Sequence, residues 1–240
     1  MKRQQNINTN KLWNKYAINY DVLNVLVAYN ELIELFIKKI KKYGDGKNLR
    51  TIIDLGCGTG SLTVLLASNF PNAVIFAIDN SDEMLKILDK KVKKQQITNI
   101  RILKHNILDV DTTMFPEADI IVMNNVLYTI NDKRKLLLDM QRGLKKNGII
   151  VFSDPVPVGK YNYWSIIRRQ FGLLSLIFKS ILLCSRLLWV LSWNKKIDRT
   201  YIRLDMKEYK KLLCDLGHNI LEWVPPYAGQ ANLFVIKLYK

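Results

Sequence analysis

The chain alternates between short apolar runs and segments whose apolar residues recur at helical spacing. TIIDL (51–55), AVIFAID (73–79), NIRILKH (99–105), ADIIVMN (118–124) and IIVFSD (149–154) are runs of the first kind. They are rich in β-branched residues and bounded by turn formers, the pattern of buried strands. Between them, SLTVLLASNF (61–70), the stretch opened by Ser81 with Met84, Leu85 and Leu88, and residues 132–146 repeat every three to four positions, as helices do. Ser81 supplies an N-cap, and Pro71 and Asn147-Gly148 supply stops. Residues 12–42 predict one helix ahead of the first strand, broken by Gly44-Asp45-Gly46. MKEYKKLLCDLG (206–217) predicts a late helix, and HNILEWV (218–224) and ANLFVIKLY (231–239) two closing strands. This alternation predicts an α/β fold: a doubly wound, mostly parallel seven-stranded sheet with helices on both faces.

The organisation that follows is one domain over 1–240. It has an N-terminal helical cover (12–42), a core (50–154), a helical insertion after the fifth strand (155–200) and a C-terminal helix and strand pair (201–240). The insertion contains GLLSLIFKSILLCSRLLWVLSW (172–193), apolar enough to suggest a membrane span but carrying Lys179 and Arg186. Each such charge costs about 2.5–3.5 kcal/mol near a bilayer centre. The uncharged runs between them fall short of the roughly 20 residues a span needs. Arg168, Gly172, Ser175, Lys179 and Arg186 share one helical stripe, so the segment 160–196 predicts an amphipathic lid. Its basic stripe suits either an anionic membrane interface or open water.

Thirty-seven basic against 21 acidic residues give a formal net charge of +16, which favours anionic partners such as nucleic acid or acidic headgroups. Cys57, Cys184 and Cys214 lack the spacing of a disulfide framework or a zinc site. The basic N-terminus has no apolar run behind it, so no secretory signal is expected. The expected location is the cytoplasm, with peripheral contact on the inner face of a membrane as an option.

The loop after the first strand, Asp54-Leu55-Gly56-Cys57-Gly58-Thr59-Gly60, carries the candidate chemistry. Glycines allow a tight turn and a close approach by a ligand. A dinucleotide fingerprint would need its third glycine one place later, and Asp54 is a poor neighbour for a pyrophosphate. A cationic ligand suits the loop better. IIDLGCGTG closely resembles the first motif of class I S-adenosylmethionine-dependent methyltransferases, and the resemblance runs in register from residue 13 to 154. It implies a cofactor site made of Asp54, Gly56, Cys57 and Gly58, with Asp79 from AIDNSDEML (77–85) on the ribose and Asn80 and Met84 beside the adenine. Asn106 and Ile107 from LKHNILDV (103–110) would follow, Asn106 standing where the family usually has Asp. Asn124, in Asn124-Asn125-Val126-Leu127, would face the junction of cofactor and acceptor, and LKKNGIIVFSD (144–154) matches the turn into strand five. WNKYAINYDVLN (13–24) is similar to the opening of quinone-biosynthesis and phospholipid N-methyltransferases, which puts Tyr20 with the cofactor.

Methyl transfer from a sulfonium is an in-line displacement, driven by alignment and desolvation, and requires no metal. Tyr16, Tyr20, Tyr128 and His105 are candidate catalytic side chains, none assigned a role; Asp154 and His218 read as structural. Asn124-Asn125 lacks the Pro-Pro-aromatic continuation of enzymes acting on exocyclic amines of nucleic acids. The expected function is methyl transfer to a small apolar or amphiphilic acceptor, such as a lipid or a prenylated ring. An RNA methyltransferase and a cofactor-binding protein without transfer activity are the alternatives. Oligomeric state is not legible.

Overall fold

The structure, a computed structural model, describes residues 9–21, 27–44, 48–109, 115–157, 189, 197 and 201–238. Five apolar runs form the parallel strands β1 (Thr51–Leu55), β2 (Val74–Asp79), β3 (Ile100–Lys104), β4 (Ala118–Asn124) and β5 (Leu144–Pro155). The closing pair, β6 (His218–Val224) and β7 (Ala231–Leu238), completes a seven-stranded sheet of order β3-β2-β1-β4-β5-β7-β6. β7 lies antiparallel to both neighbours. Helices α1 (Thr9–Tyr20), α2 (Val27–Tyr43), α3 (Ser61–Asn69), α4 (Asp82–Lys94), α5 (Lys133–Arg142) and α6 (Met206–Asp215) cover it.

Side chains alternate across a strand, so each strand feeds two cores. Ile52, Ile75, Val122, Val151 and Val235 pack with Leu32, Phe36 and Ile40 of α2 and Leu66 of α3. Ile53, Leu55, Met123, Phe152 and Phe234 face the opposite way, onto Leu137 of α5 and Tyr209 and Leu213 of α6. Caps fix the helix starts: the Ser81 hydroxyl accepts from Met84 N–H, Asp132 accepts from Lys135 N–H, and Asp205 and Glu208 form a capping box.

Two boundaries differ from the sequence expectation. The helix expected over 12–42 is two helices, with residues 22–26 outside the described set. Asp21, one residue past α1, accepts from the Thr59 hydroxyl in the glycine loop. The helix expected over 132–146 stops at Arg142, and β5 begins at Leu144. Leu144 pairs with Ala118, then the register jumps to Ile149 against Ile120. A Cβ on Gly148 would come within 2.6 Å of Leu144 Cγ, so glycine here permits a bulge rather than ending a helix. Lys145 pairs with Asp119 at 2.7 Å, and Asp119 also accepts from the N–H groups of Arg50 and Thr51, tying the bases of β1, β4 and β5 together. Of the insertion expected over 155–200, residues 158–188, 190–196 and 198–200 lie outside the described residues.

Candidate functional site

Strand order reverses between β1 and β4, the place where open α/β sheets hold ligands beyond their carboxyl ends. A cavity of about 220 Å³ lies there, lined from the sheet by Gly56, Gly58, Asp79, Asn80, Ser81, Asn124, Asn125 and Val126. Asn10, Trp13 and Tyr20 of α1 form its cover, and Met84, Asn106, Ile107, Leu108, Thr129, Ile130, Asn131 and Tyr201 complete the wall.

The glycine loop is shaped by backbone that other residues rarely adopt. Gly56, Gly58 and Gly60 have φ of 70°, 55° and 81°. Gly56 and Cys57 N–H groups both donate to Ile78 O, which clamps the turn against β2. A Cβ on Gly56 would approach Val126 to 2.5 Å, whereas one on Gly58 would meet nothing nearer than Met84 Sδ at 3.9 Å. The loop is thus packed behind Gly56 and open above Gly58, where the cavity is.

Asp79 closes the turn from the β2 side. Its carboxylate accepts from Gly58 N–H at 2.9 Å and Ser81 N–H at 2.8 Å. Burial nonetheless lifts its pKa above the ordinary carboxylate value, those N–H groups only partly offsetting it. A buried carboxylate at a cavity wall suits a ligand bearing hydroxyl groups, which can donate to it. Asn106 is turned onto its own short turn: Oδ1 accepts from Leu108 N–H and Nδ2 donates to Asp109.

Two residues expected in the cofactor set do not line the cavity. Asp54 lies on the same strand face as Ile52 and points beneath the loop, where it accepts from the Thr63 hydroxyl at 2.7 Å. Burial pushes its pKa up to about 7. Cys57 is buried with the core cluster on the α2–α3 side of the sheet, and its thiol lies 3.8 Å from the Gly58 carbonyl. Of the candidate catalytic side chains only Tyr20 lines the cavity. Tyr16 is buried between Tyr20 and Trp189, Tyr128 lies against Tyr201 and under Arg203, and His105 Nδ1 contacts the Asn106 carbonyl. Asn10, Trp13, Thr129, Ile130, Asn131 and Tyr201 were not anticipated as wall residues. Trp13 stood in the quoted N-terminal motif, and Asn125 has a φ of 58°, unusual outside glycine.

A family model described as a methyltransferase domain matches residues 47–199. The chain belongs to this methyltransferase-domain family. Its fold is the Rossmann-like one of class I S-adenosylmethionine-dependent enzymes: it resembles the magnesium protoporphyrin IX methyltransferase of Synechocystis PCC 6803, solved with bound SAH, at a TM-score of 0.67 and 12% identity over 96% of this chain and 98% of that one. The release factor glutamine methyltransferase of Flavobacterium psychrophilum is 37% identical over 45% of this chain. The chain spans only 37% of that relative's length. The demethylmenaquinone methyltransferase of Geobacillus sp. (strain WCH70) is 25% identical over 67% of this chain and 71% of its own. The acceptors named by these relatives differ, while the glycine loop and sheet order agree with the family's cofactor, S-adenosylmethionine. Among the described residues, no helix is long and apolar enough to cross a membrane.

Proposed function

We propose that this protein transfers a methyl group from S-adenosylmethionine to a small apolar or amphiphilic acceptor. The observation that carries this reading is the make-up of one cavity. Its floor is the glycine loop and Asp79; its cover and outer wall set the rings and chains of Trp13, Tyr20, Leu108, Ile130 and Tyr201 beside the neutral polar Asn10, Thr129 and Asn131; and no described lining residue is Lys or Arg. A floor of that kind holds a cation with a ribose. A wall of that kind favours an uncharged ring or chain over a phosphate or polycarboxylate, which would need cationic partners.

Asp79 would accept from both ribose hydroxyls, the 56–58 backbone would pass along the amino-acid arm, and Asn80, Met84 and Ile107 would border the adenine. When bound, the cofactor supplies a methyl group already activated by a sulfonium. The chain's contribution is then alignment and exclusion of water, for which α1 is placed as the cover. Burial, the largest influence, pushes the Tyr20 phenol up to about 12, which disfavours its ionisation.

The test is calorimetric titration with S-adenosylhomocysteine, followed by transfer of labelled methyl to a prenylated hydroquinone compared with total RNA. Transfer to the hydroquinone supports the small-acceptor reading. Transfer to RNA alone supports the second reading, which the net charge of +16 favours. A parent protein that binds no S-adenosylhomocysteine overturns both. We further propose that residues 160–196 bring the enzyme to anionic membrane, because that segment's charges are all basic. Flotation with anionic vesicles, lost in Lys179→Glu/Arg186→Glu, would support this; failure of the parent to float would end it.

A further inference from the structure

Six asparagines line the cavity, and their amides are not equally committed. Asn106 is spent on its own turn, with Leu108 N–H and Asp109. Asn124 accepts from the Ser153 hydroxyl at 2.8 Å and donates to the Tyr29 phenol at 3.3 Å. Asn80 follows Asp79 at the cofactor end of the floor, Asn10 Oδ1 is buried in the cover, and Asn131 is exposed at the rim. Asn125 is placed differently. It is half-buried just past the carboxyl end of β4, and its side-chain amide has no hydrogen bond to any described residue.

Its backbone gives a second observation. Asn125 has a φ of 58°. Gln96 is the other non-glycine residue of positive φ among those described, and it follows the end of α4, where left-handed backbone is ordinary. Asn125 ends no helix. Its N–H donates to Ser153 O at 2.8 Å, and Val126 after it packs against Gly56 of the glycine loop. Glycine would adopt this φ freely; asparagine tolerates it and adds an amide. The turn that follows offers no substitute. Leu127 and Tyr128 are buried, and the Thr129 hydroxyl donates to Val126 O at 2.6 Å. From Asn125 to the rim, the side chains facing the cavity are then Ile130 and Asn131, with Thr129 already spent.

We infer that Asn125 is a specificity-determining residue, whose amide holds a neutral hydroxyl or carbonyl of the acceptor while the acceptor's apolar body runs past Ile130 toward the rim. An amide presents both a donor and an acceptor, so it serves either group. It carries no charge, and no described lining residue is Lys or Arg, so an anionic group would find no counter-charge here. This rests on the reading of the cavity as a methyl-transfer site and narrows the acceptor that it takes.

The test titrates the full chain, loaded with S-adenosylhomocysteine, with a prenylated hydroquinone and with the prenylated benzene of the same tail. Asn125→Gly keeps the backbone conformation and removes only the amide. It should weaken the hydroquinone about fivefold, the scale of one neutral hydrogen bond, and leave the benzene within about twofold. Affinity for S-adenosylhomocysteine should stay within about twofold and Tm within about 3 °C of the parent, because glycine accepts the same φ. A role confined to the turn would change both rings alike. Asn131→Gly, the control at the rim, should leave both rings within about twofold. Equal losses for the two rings in Asn125→Gly, unchanged affinity for the hydroquinone, the same loss in Asn131→Gly, or a loaded parent that binds neither ring overturns the assignment of Asn125. A parent that binds no S-adenosylhomocysteine strikes instead at the proposed function.

Discussion

Asp21 accepts a 2.6 Å hydrogen bond from the Thr59 hydroxyl, joining the end of α1 to the middle of the glycine loop. Lys91 of α4 bonds both sides of this contact, reaching Asp21 at 2.9 Å and the Thr59 carbonyl at 2.9 Å. At the other end of the contact with α4, Asn14 Oδ1 accepts from the hydroxyl of Ser81, the cap of α4. The cover is therefore fastened at two points to the elements that shape the glycine loop.

Asp21→Ala should loosen that cover without unfolding the sheet. The ion pair is partly exposed, with side-chain exposures of 24% and 38%, so its loss should cost global stability no more than about 1 kcal/mol. Hydrogen exchange across residues 9–20 should quicken and S-adenosylhomocysteine affinity should fall several-fold. Unchanged exchange in α1 would show that its apolar contacts through Leu12, Tyr16 and Ala17 suffice to hold it.

Asp79→Ala should weaken S-adenosylhomocysteine by roughly 1.5–3 kcal/mol, the scale for hydrogen bonds to a charged group. It also removes the acceptor of Gly58 and Ser81 N–H. Asp79→Asn keeps one acceptor oxygen and should lose less. Calorimetry on both variants reads the difference, and equal affinity in Asp79→Ala and the parent would remove Asp79 from the site.

Gly56→Ala meets two obstacles, a left-handed φ and Val126 at 2.5 Å, and should destabilise by about 1–3 kcal/mol. Gly217→Ala has a φ of 73° but open space around it, so it carries only the backbone cost. Val126→Ala added to Gly56→Ala should return part of the loss, because it empties the place the new methyl needs. Thermal melts of the three variants check this. No relief from Val126→Ala would put the whole effect on the backbone.

The parallel strands and the glycine loop were legible because strand period and helix period differ, and because glycine marks left-handed backbone locally. The start of β5 was not. LKKNG has the composition of a helix end, and the contacts that make it strand, Lys145 with Asp119 and Leu144 with Ala118, come from a segment more than twenty residues earlier. Asp54 shows a signal that was available: alternation along β1 puts it on the face of Ile52, under the loop instead of above it. Asn10 and Tyr201 had no local mark, since only the packing of α1 and of the chain after 200 brings them to the cavity.

Stability should respond to pH in two opposed windows. Asp54 and Asp154 are fully buried and held at about 7, burial being the main cause in each. Their unfolded values lie near 3.9. A raised carboxyl binds its proton more tightly in the fold, so its favourable contribution is complete below about pH 4 and is lost as pH rises through about 7. Glu222 runs the other way. The Lys39 hydrogen bond at 2.6 Å, first among its influences, lowers it to about 2, with Lys42 adding a second contact. Its contribution is present above about pH 4.3 and is lost as pH falls toward about 2. Asp54→Asn, which keeps an oxygen for Thr63, should therefore flatten the decline in Tm between pH 5 and pH 8, by about 4 °C or more. Glu222→Gln should lower Tm at pH 7 by a few degrees and make no difference at about pH 2. Melts of the parent and both variants across this range separate the groups. A Tm that declines from pH 5 to pH 8 as steeply in Asp54→Asn as in the parent would show that Asp54 is already ionised in the fold at pH 5.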